Sequence, residues 1–357
     1  MTPDRPSGRP TLPELAGFDA IIDVRSPAEF AEDHIPGAIN CPVLDDEQRI
    51  VVGTLYKQVS PFEARKVGAA MVSENIARHL RENFLDRPKD WKPLIYCWRG
   101  GNRSGSMTTI FRAIGWKAVQ LDGGYKTWRS HVIAQLEQLP PALSFRVVCG
   151  ATGSGKTRIL QAIAELGEQV LDLETLASHK GSVLGVLPGQ PQPTQKCFET
   201  LLLQAISAFD PARPVYVEAE SRKIGRLQLP ETLLERIRQG ERLDVEASLA
   251  ARVAFLLADY DYFLQAPDLL LQRLDRLKGM HSRETLARWT EQVRSADWTN
   301  LVRELLEQHY DALYRRSQGL HFLGRPYPAP FATDDLSPAG IADLAQRIVH
   351  SRTAQIA

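Results

Sequence analysis

Phe145-Arg-Val-Val-Cys-Gly-Ala-Thr-Gly-Ser-Gly-Lys-Thr157 runs from an apolar strand into a glycine-rich turn that fits G-x-x-x-x-G-K-[ST], and a helical pattern from Arg158 to Leu166 follows at once. Strand, glycine turn and helix in that order open a parallel sheet covered by helices. The turn predicts a phosphate-binding loop. Backbone N–H groups across Gly150, Gly153, Ser154 and Gly155 would surround phosphate oxygens, Lys156 would neutralise the terminal ones and Thr157 would offer a ligand to magnesium. No metal ligand is certain from sequence. Glu218 and Glu220 follow a second buried strand, Val215-Tyr-Val217, while Asp172 and Glu174 follow Gln169-Val-Leu171. Magnesium held by Thr157 with Glu218 or Asp172 is the leading option, and a solvated or bracing role stays open for all four carboxylates.

Just upstream, Leu136-Glu-Gln-Leu-Pro-Pro-Ala-Leu-Ser144 carries two adjacent prolines, which stop a helix and favour a connector. A length of 357 residues argues for about two domains. We place them at 12–138 and 144–357. The first half reads as strands at Ala20–Val24, Leu94–Cys97 and Ala118–Leu121, with a helical insert over Ser60–Phe84. Both halves therefore read as α/β, and from Pro230 onward the chain reads as mainly helical.

Lys+Arg and Asp+Glu both number 43, with 43% hydrophobic residues, so the chain is neither collagen-like nor wholly disordered. Bulk charge supplies no general attraction to phosphate, and a nucleic acid would need basic groups gathered by folding. Two local groups qualify: Arg222, Lys223, Arg226, Arg236, Arg238 and Arg242, then Arg273, Arg276, Lys278, Arg283 and Arg288, though ordinary solvated helix faces explain either segment as well. The apolar run Val253–Ala258 is too short to span a bilayer, and the amino-terminal residues show no export signal. A cytoplasmic protein without membrane contact is expected. Cys41, Cys97, Cys149 and Cys197 are dispersed and expected to be reduced thiols.

One of them is set apart by its neighbours. Tyr96-Cys-Trp-Arg-Gly-Gly-Asn-Arg-Ser-Gly-Ser106 follows a strand and precedes the helical pattern Met107 to Ile114, so Cys97 would sit by a helix N-terminus. Unpaired N–H groups there, with Arg99 and Arg103, favour a thiolate and a bound oxyanion together. Gly100 and Gly101 let the backbone curl around a ligand.

With Asp23-Val-Arg-Ser-Pro-Ala-Glu-Phe30, His34-Ile-Pro-Gly-Ala-Ile-Asn40, Leu121-Asp-Gly-Gly-Tyr125 and Trp128, this loop resembles the rhodanese domain over about residues 12 to 138. The resemblance implies that Cys97 carries a transferable chalcogen as a persulfide-type adduct. Asp23 and Arg25 would brace the fold, and His34 would shape a turn. Arg103 stands one position later than the closing arginine of the usual sulfurtransferase loop, a spacing shared with rhodanese-type phosphatases that suits a phosphate-bearing donor. The long Cys97–Ser104 loop, Gly53-Thr-Leu-Tyr-Lys-Gln58, the Gly150–Thr157 loop and His179-Lys-Gly-Ser182 together resemble the tRNA 2-selenouridine synthases. That resemblance implies a tRNA substrate whose wobble 2-thiouridine exchanges sulfur for selenium, with selenophosphate as donor and an S-geranylated intermediate made from geranyl diphosphate. Cys97 would be the selenium-carrying nucleophile, with Arg99, Arg103 and Ser104 on the departing phosphate. The phosphate loop would take the prenyl diphosphate, a nucleotide or a tRNA phosphate, with a slight lean to the first. No tightly bound cofactor and a monomer are expected. The alternatives are an ATP-dependent tRNA sulfurtransferase and a rhodanese-type phosphatase fused to a kinase-like module; a non-enzymatic RNA-binding protein would have no use for a reactive cysteine.

Overall fold

A computed structural model describes residues 12–182, 184–314 and 329–351; most of the amino-terminal stretch read for export signals lies outside them. The chain divides between Gln135 and Leu136 into two compact units, both α/β.

In the first unit, β1 (Ala20–Asp23), β2 (Ala38–Asn40), β3 (Pro93–Tyr96) and β4 (Val119–Gln120) form a parallel sheet in the order β2-β1-β3-β4. β3 is buried along its whole length, as expected of a parallel strand covered on both faces. The helix Asn102–Ile114 sends Met107 and Phe111 into a core with Ile22, Ile95, Trp91 and Trp116. Phe111 and Trp91 both meet Trp116 edge-on at 5.0 Å between centroids, contacts each worth about 0.5–1.5 kcal/mol beyond burial. The helical insert is longer than its sequence pattern indicates. Asp45 caps a helix over Asp46–Gln58, Ser60 caps a second over Pro61–His79, and a π-helical turn closes it at Leu80–Phe84.

The second unit contains β5 (Phe145–Cys149), β6 (Gln169–Leu171), β7 (Val215–Glu218), the two-stranded hairpin β8 (Lys223–Ile224) and β9 (Leu227–Gln228), then β10 (Glu241–Ala247) and β11 (Phe331–Thr333). The main sheet is parallel in the order β11-β10-β5-β7-β6. The apolar β5 sits at its centre, fully buried. Its helix, Lys156–Glu165, packs Ile159, Leu160 and Ile163 against Ile341, Leu344 and Ile348 of the helix Pro338–His350. A helical lobe from Leu249 to Tyr310 has its own core of Phe263, Leu270, Trp289, Leu301 and Leu305.

The chain beyond Pro230 is mainly helical, as expected, with β10 and β11 as the strands within it. The sequence of β10, Glu-Arg-Leu-Asp-Val-Glu-Ala, looks too charged for an inner strand. Glu241 is neutralised by Arg146 at 2.8 Å, and Arg242 by Asp244 at 2.6 Å, so the charges enter the sheet as pairs.

Candidate active site

Cys97 directly follows β3, and the helix behind it begins at Asn102 with Gly101 as N-cap. Cys97 is 4% exposed, and its sulfur accepts two hydrogen bonds, from the Gly101 N–H at 3.3 Å and the Ser104 hydroxyl at 3.1 Å. Gln120 Nε2 donates to Ser104 Oγ at 2.7 Å, occupying a lone pair and leaving the hydroxyl proton for the Cys97 sulfur or the Gly101 carbonyl at 3.3 Å. The sequence offers no sign of this role for Gln120, because it depends on β4 lying beside β3. Tyr125 N–H donates to the Cys97 carbonyl at 2.8 Å, and Lys126 N–H to the Trp98 carbonyl at 3.0 Å. Gly124 permits that approach: at φ +61°, a Cβ there would strike the Cys97 carbonyl oxygen.

The two arginines are placed differently from each other. Arg103 turns its guanidinium onto Glu29. Burial pushes Glu29 upward, but the Arg103 hydrogen bonds and charge outweigh it and hold the carboxyl below its ordinary range. Arg99 is exposed, with no ion-pair partner among the described residues. Asp23 and Arg25 lie fully buried at 2.6 Å; Arg25 also donates to the Asp33 carbonyl at 2.6 Å and stacks over Tyr125 at 3.9 Å. They brace the loop's surroundings. His34 Nδ1 meets the Phe30 carbonyl at 3.0 Å in a turn. Burial pushes the Cys41 and Cys149 thiols up to about 12, so both stay protonated at neutral pH.

The phosphate loop leaves the carboxyl end of β5, where ligands of open parallel sheets bind. Lys156 Nζ reaches back to the Gly150 carbonyl at 3.0 Å, closing the loop on itself. Buried Arg252, ion-paired with Asp311 at 2.6 Å, holds the Thr152 carbonyl at 2.8 Å. Gly153 sits at φ +83°, where an added Cβ would come within 2.9 Å of Leu256. Gly155 precedes the helix at φ +76°, and the Ser154 hydroxyl is buried without a hydrogen-bond partner among the described residues.

Beside the loop, Thr157 Oγ1 donates to Glu174 at 2.7 Å and to Glu218 at 3.3 Å, and the Glu174 N–H donates to Glu218 at 3.1 Å. One oxygen each from Glu174, Glu218 and Glu220 lies within 4.8 Å of the others. Burial pushes all three carboxyls up, and the Glu174 charge adds to it at the other two: Glu218 is pushed far up and Glu220 to about 7. This crowding of hard oxygen donors beside a threonine hydroxyl fits a divalent cation such as magnesium, whose charge would relieve the repulsion. Asp172 is elsewhere. It caps the helix Leu173–Ala177, accepting from the Thr175 N–H at 2.8 Å and hydroxyl at 2.7 Å.

The loop opens into a cleft with about 1650 Å³ of empty space, open solvent at its mouth included, whose walls include Lys180, Ser182, Tyr260, His309 and Tyr310. Lys180 pairs with Asp259 at 2.6 Å and lies over the Tyr260 ring at 4.0 Å. Burial pushes Asp259 up, yet hydrogen bonds from Lys180 and Arg158 hold it below its ordinary value. Tyr260, His309 and Tyr310 were not singled out by sequence reading; the last two belong to a π-helical turn, a local distortion frequent at functional sites. Most of the first basic group is committed to the fold: Arg222 pairs with Glu231, Arg242 with Asp244, Arg226 holds the Gln192 carbonyl and Arg236 the Leu143 carbonyl.

Comparison with known proteins agrees with this division of the chain. Residues 12–131 match the family model of the rhodanese-like domain, and residues 143–285 match that of the tRNA 2-selenouridine synthase AAA domain. A tRNA 2-selenouridine synthase of Nitrosomonas europaea is 38% identical over 244 residues, covering 67% of this chain and 63% of that protein, so the chain spans less than two thirds of that relative's length. Those of Alcanivorax borkumensis and Marinobacter nauticus are 33% and 32% identical, each across 82% of this chain and 88% and 87% of theirs. With both domains matched, and two such relatives covered nearly end to end, the chain belongs to the tRNA 2-selenouridine synthase family.

Proposed function

We propose that the protein is a tRNA-modifying transferase that replaces sulfur by selenium at C2 of a wobble 2-thiouridine, with selenophosphate as donor, through an S-geranylated intermediate made from geranyl diphosphate. The observation that carries the reading is the Cys97 sulfur, set at a helix N-terminus with two donors on it, in a chain that also presents a phosphate loop opening into a large cleft.

In the first step the thiouridine sulfur attacks C1 of the prenyl donor. The S–C bond forms, the C1–O bond breaks, and the electron pair leaves on diphosphate, where the loop N–H groups and Lys156 meet the growing charge. Glu174, Glu218 and Thr157 would hold magnesium, which when bound supplies further neutralisation of that leaving group. In the second step the Cys97 thiolate attacks selenium. The S–Se bond forms, and the Se–P pair stays on phosphorus, which departs at the phosphite level. Arg99, exposed and two positions beyond Cys97, would meet that oxyanion, whereas Arg103 would first have to leave Glu29. The terminal selenium of the adduct then adds to C2, expelling geranylthiolate, and an external thiol takes the Cys97 sulfur as a mixed disulfide, leaving selenium on the nucleoside. Covalent carriage divides one difficult exchange into easier steps.

Mass spectrometry of nucleosides from tRNA incubated with the full chain, geranyl diphosphate, selenophosphate and a thiol tests this reading. Cys97→Ala should retain geranylation and lose selenation, and Lys156→Ala should lose geranylation. Selenation by Cys97→Ala would remove the carrier role; intact geranylation by Lys156→Ala, with lost ATP binding, would move the loop to a nucleotide.

A further inference from the structure

A second cavity, with about 590 Å³ of empty space counting the open solvent at its mouth, is lined mainly by the helical lobe. Thr152, Ser182, Leu256, Tyr260 and Tyr310 line both this cavity and the phosphate cleft, so the two are neighbours through a common wall. Beyond that wall the cavity lining is hydrocarbon and aromatic: Leu257, Phe263, Leu264, Trp298, Val302 and Leu305. Leu257, Leu264, Trp298 and Val302 are only partly buried, beside the buried Phe263, Leu270, Leu301 and Leu305 of the lobe's core.

The polar atoms at the junction do not suit a nucleotide base. The Tyr310 hydroxyl is engaged by Ser182 and by the Leu184 backbone, and the Thr152 carbonyl is taken by Arg252. Among the hydrocarbon and aromatic side chains beyond the junction, a purine would bury ring nitrogens and an exocyclic amine at a desolvation cost. A hydrocarbon chain meets no such penalty and gains with every methylene removed from water.

We infer that this cavity is the tail subsite of the phosphate site: it takes the unsaturated hydrocarbon chain of a prenyl diphosphate whose diphosphate lies on the Gly150–Thr157 loop, and Trp298 and Val302 set the chain length it accepts. The inference rests on the reading of the phosphate loop as a prenyl diphosphate site. It adds what that reading lacks, namely the residues that distinguish one prenyl donor from another. Neither residue belongs to the phosphate-binding machinery, and both lie on one helix, Trp298–Leu305, at the i, i+4 spacing that puts side chains on one face.

Equilibrium binding to the full chain, with magnesium present, tests it using inorganic diphosphate, dimethylallyl diphosphate, geranyl diphosphate and farnesyl diphosphate as probes. Val302→Trp should weaken geranyl diphosphate roughly tenfold, as expected for excluding about two methylenes, and leave inorganic and dimethylallyl diphosphate unchanged. Trp298→Ala should shift preference toward the longer farnesyl donor. Circular dichroism and unchanged inorganic diphosphate binding show that each variant is folded. Equal loss for every probe, or no loss for geranyl diphosphate in Val302→Trp with no farnesyl gain in Trp298→Ala, overturns the tail subsite. Should geranyl diphosphate bind the wild-type chain no better than the Lys156→Ala variant does, the underlying reading of the loop fails instead.

Discussion

The three carboxylates beside Thr157 make folding stability depend on pH in a direction opposite to that of ordinary ion-paired acids. Glu220 is ordinarily near 4.5 and is pushed up to about 7, first by burial and then by Glu174. The unfolded chain therefore releases this proton before the folded one does. Between about pH 4.5 and pH 7 the folded state holds the extra proton, so stability is lost as pH rises, and above pH 7 the loss is complete. At about 1.4 kcal/mol per tenfold, full charging costs about 3 kcal/mol; a half-buried side chain screened by solvent leaves about 1–2 kcal/mol. Glu220→Gln removes this cost. It should raise the melting temperature relative to wild type by about 2–8 °C at pH 8, and by little at pH 5, since a unit of this size shifts about 2–4 °C per kcal/mol. Millimolar magnesium should narrow the gap by favouring the wild-type folded state, which keeps all three carboxylates. Scanning calorimetry at the two pH values, with and without magnesium, is the assay. An equal difference at pH 5 and pH 8 would refute the account of Glu220 as a carboxyl pushed up by burial and by Glu174.

Ser104→Ala deletes one of the two donors on Cys97 and should slow alkylation of that cysteine by iodoacetamide about tenfold or more, read by mass spectrometry; an unchanged rate removes Ser104 from the chemistry. Asp23→Asn leaves Arg25 buried without its counter-charge and should cost about 3–5 kcal/mol in urea denaturation, whereas a surface pair such as Lys66 with Glu63 should cost less than about 1 kcal/mol.

What could be read from the sequence, and what could not, follows from how local each interaction is. The phosphate loop is complete within eight consecutive residues, and its strand and helix are adjacent in the chain, so β5 and the helix Lys156–Glu165 are visible from sequence alone. The Cys97 nest is equally local as far as Gly101 and Ser104. Its third partner is not: Gln120 arrives only because β4 pairs with β3, and Glu29 captures Arg103 from 74 residues away. The same distinction sorts the carboxylates. Asp172 and Glu174 are two positions apart in sequence, yet Asp172 spends its oxygens capping its own helix while Glu174 faces Thr157. β10 stays hidden because its charges are cancelled by pairing that only the folded sheet supplies, with Glu241 reaching Arg146 some 95 residues back.

The apolar wall of the cleft is the most delocalised feature of all. Val253–Ala258 reads as core by its composition, and Val253 is indeed buried, but Leu256 and Leu257 of the same helix face the cavity beside the phosphate loop. Their function cannot be seen in the helix itself. It depends on Trp298, Val302 and Tyr310 being folded opposite, some 40 to 55 residues later, so that a surface which would otherwise close as core is held open next to an anion site. A phosphate cradle alone selects for charge and a cavity alone selects for hydrocarbon. Their common wall at Thr152, Ser182 and Tyr260 is what would let one molecule be selected for both, so the proposed choice of donor rests on the tertiary structure and not on the loop motif.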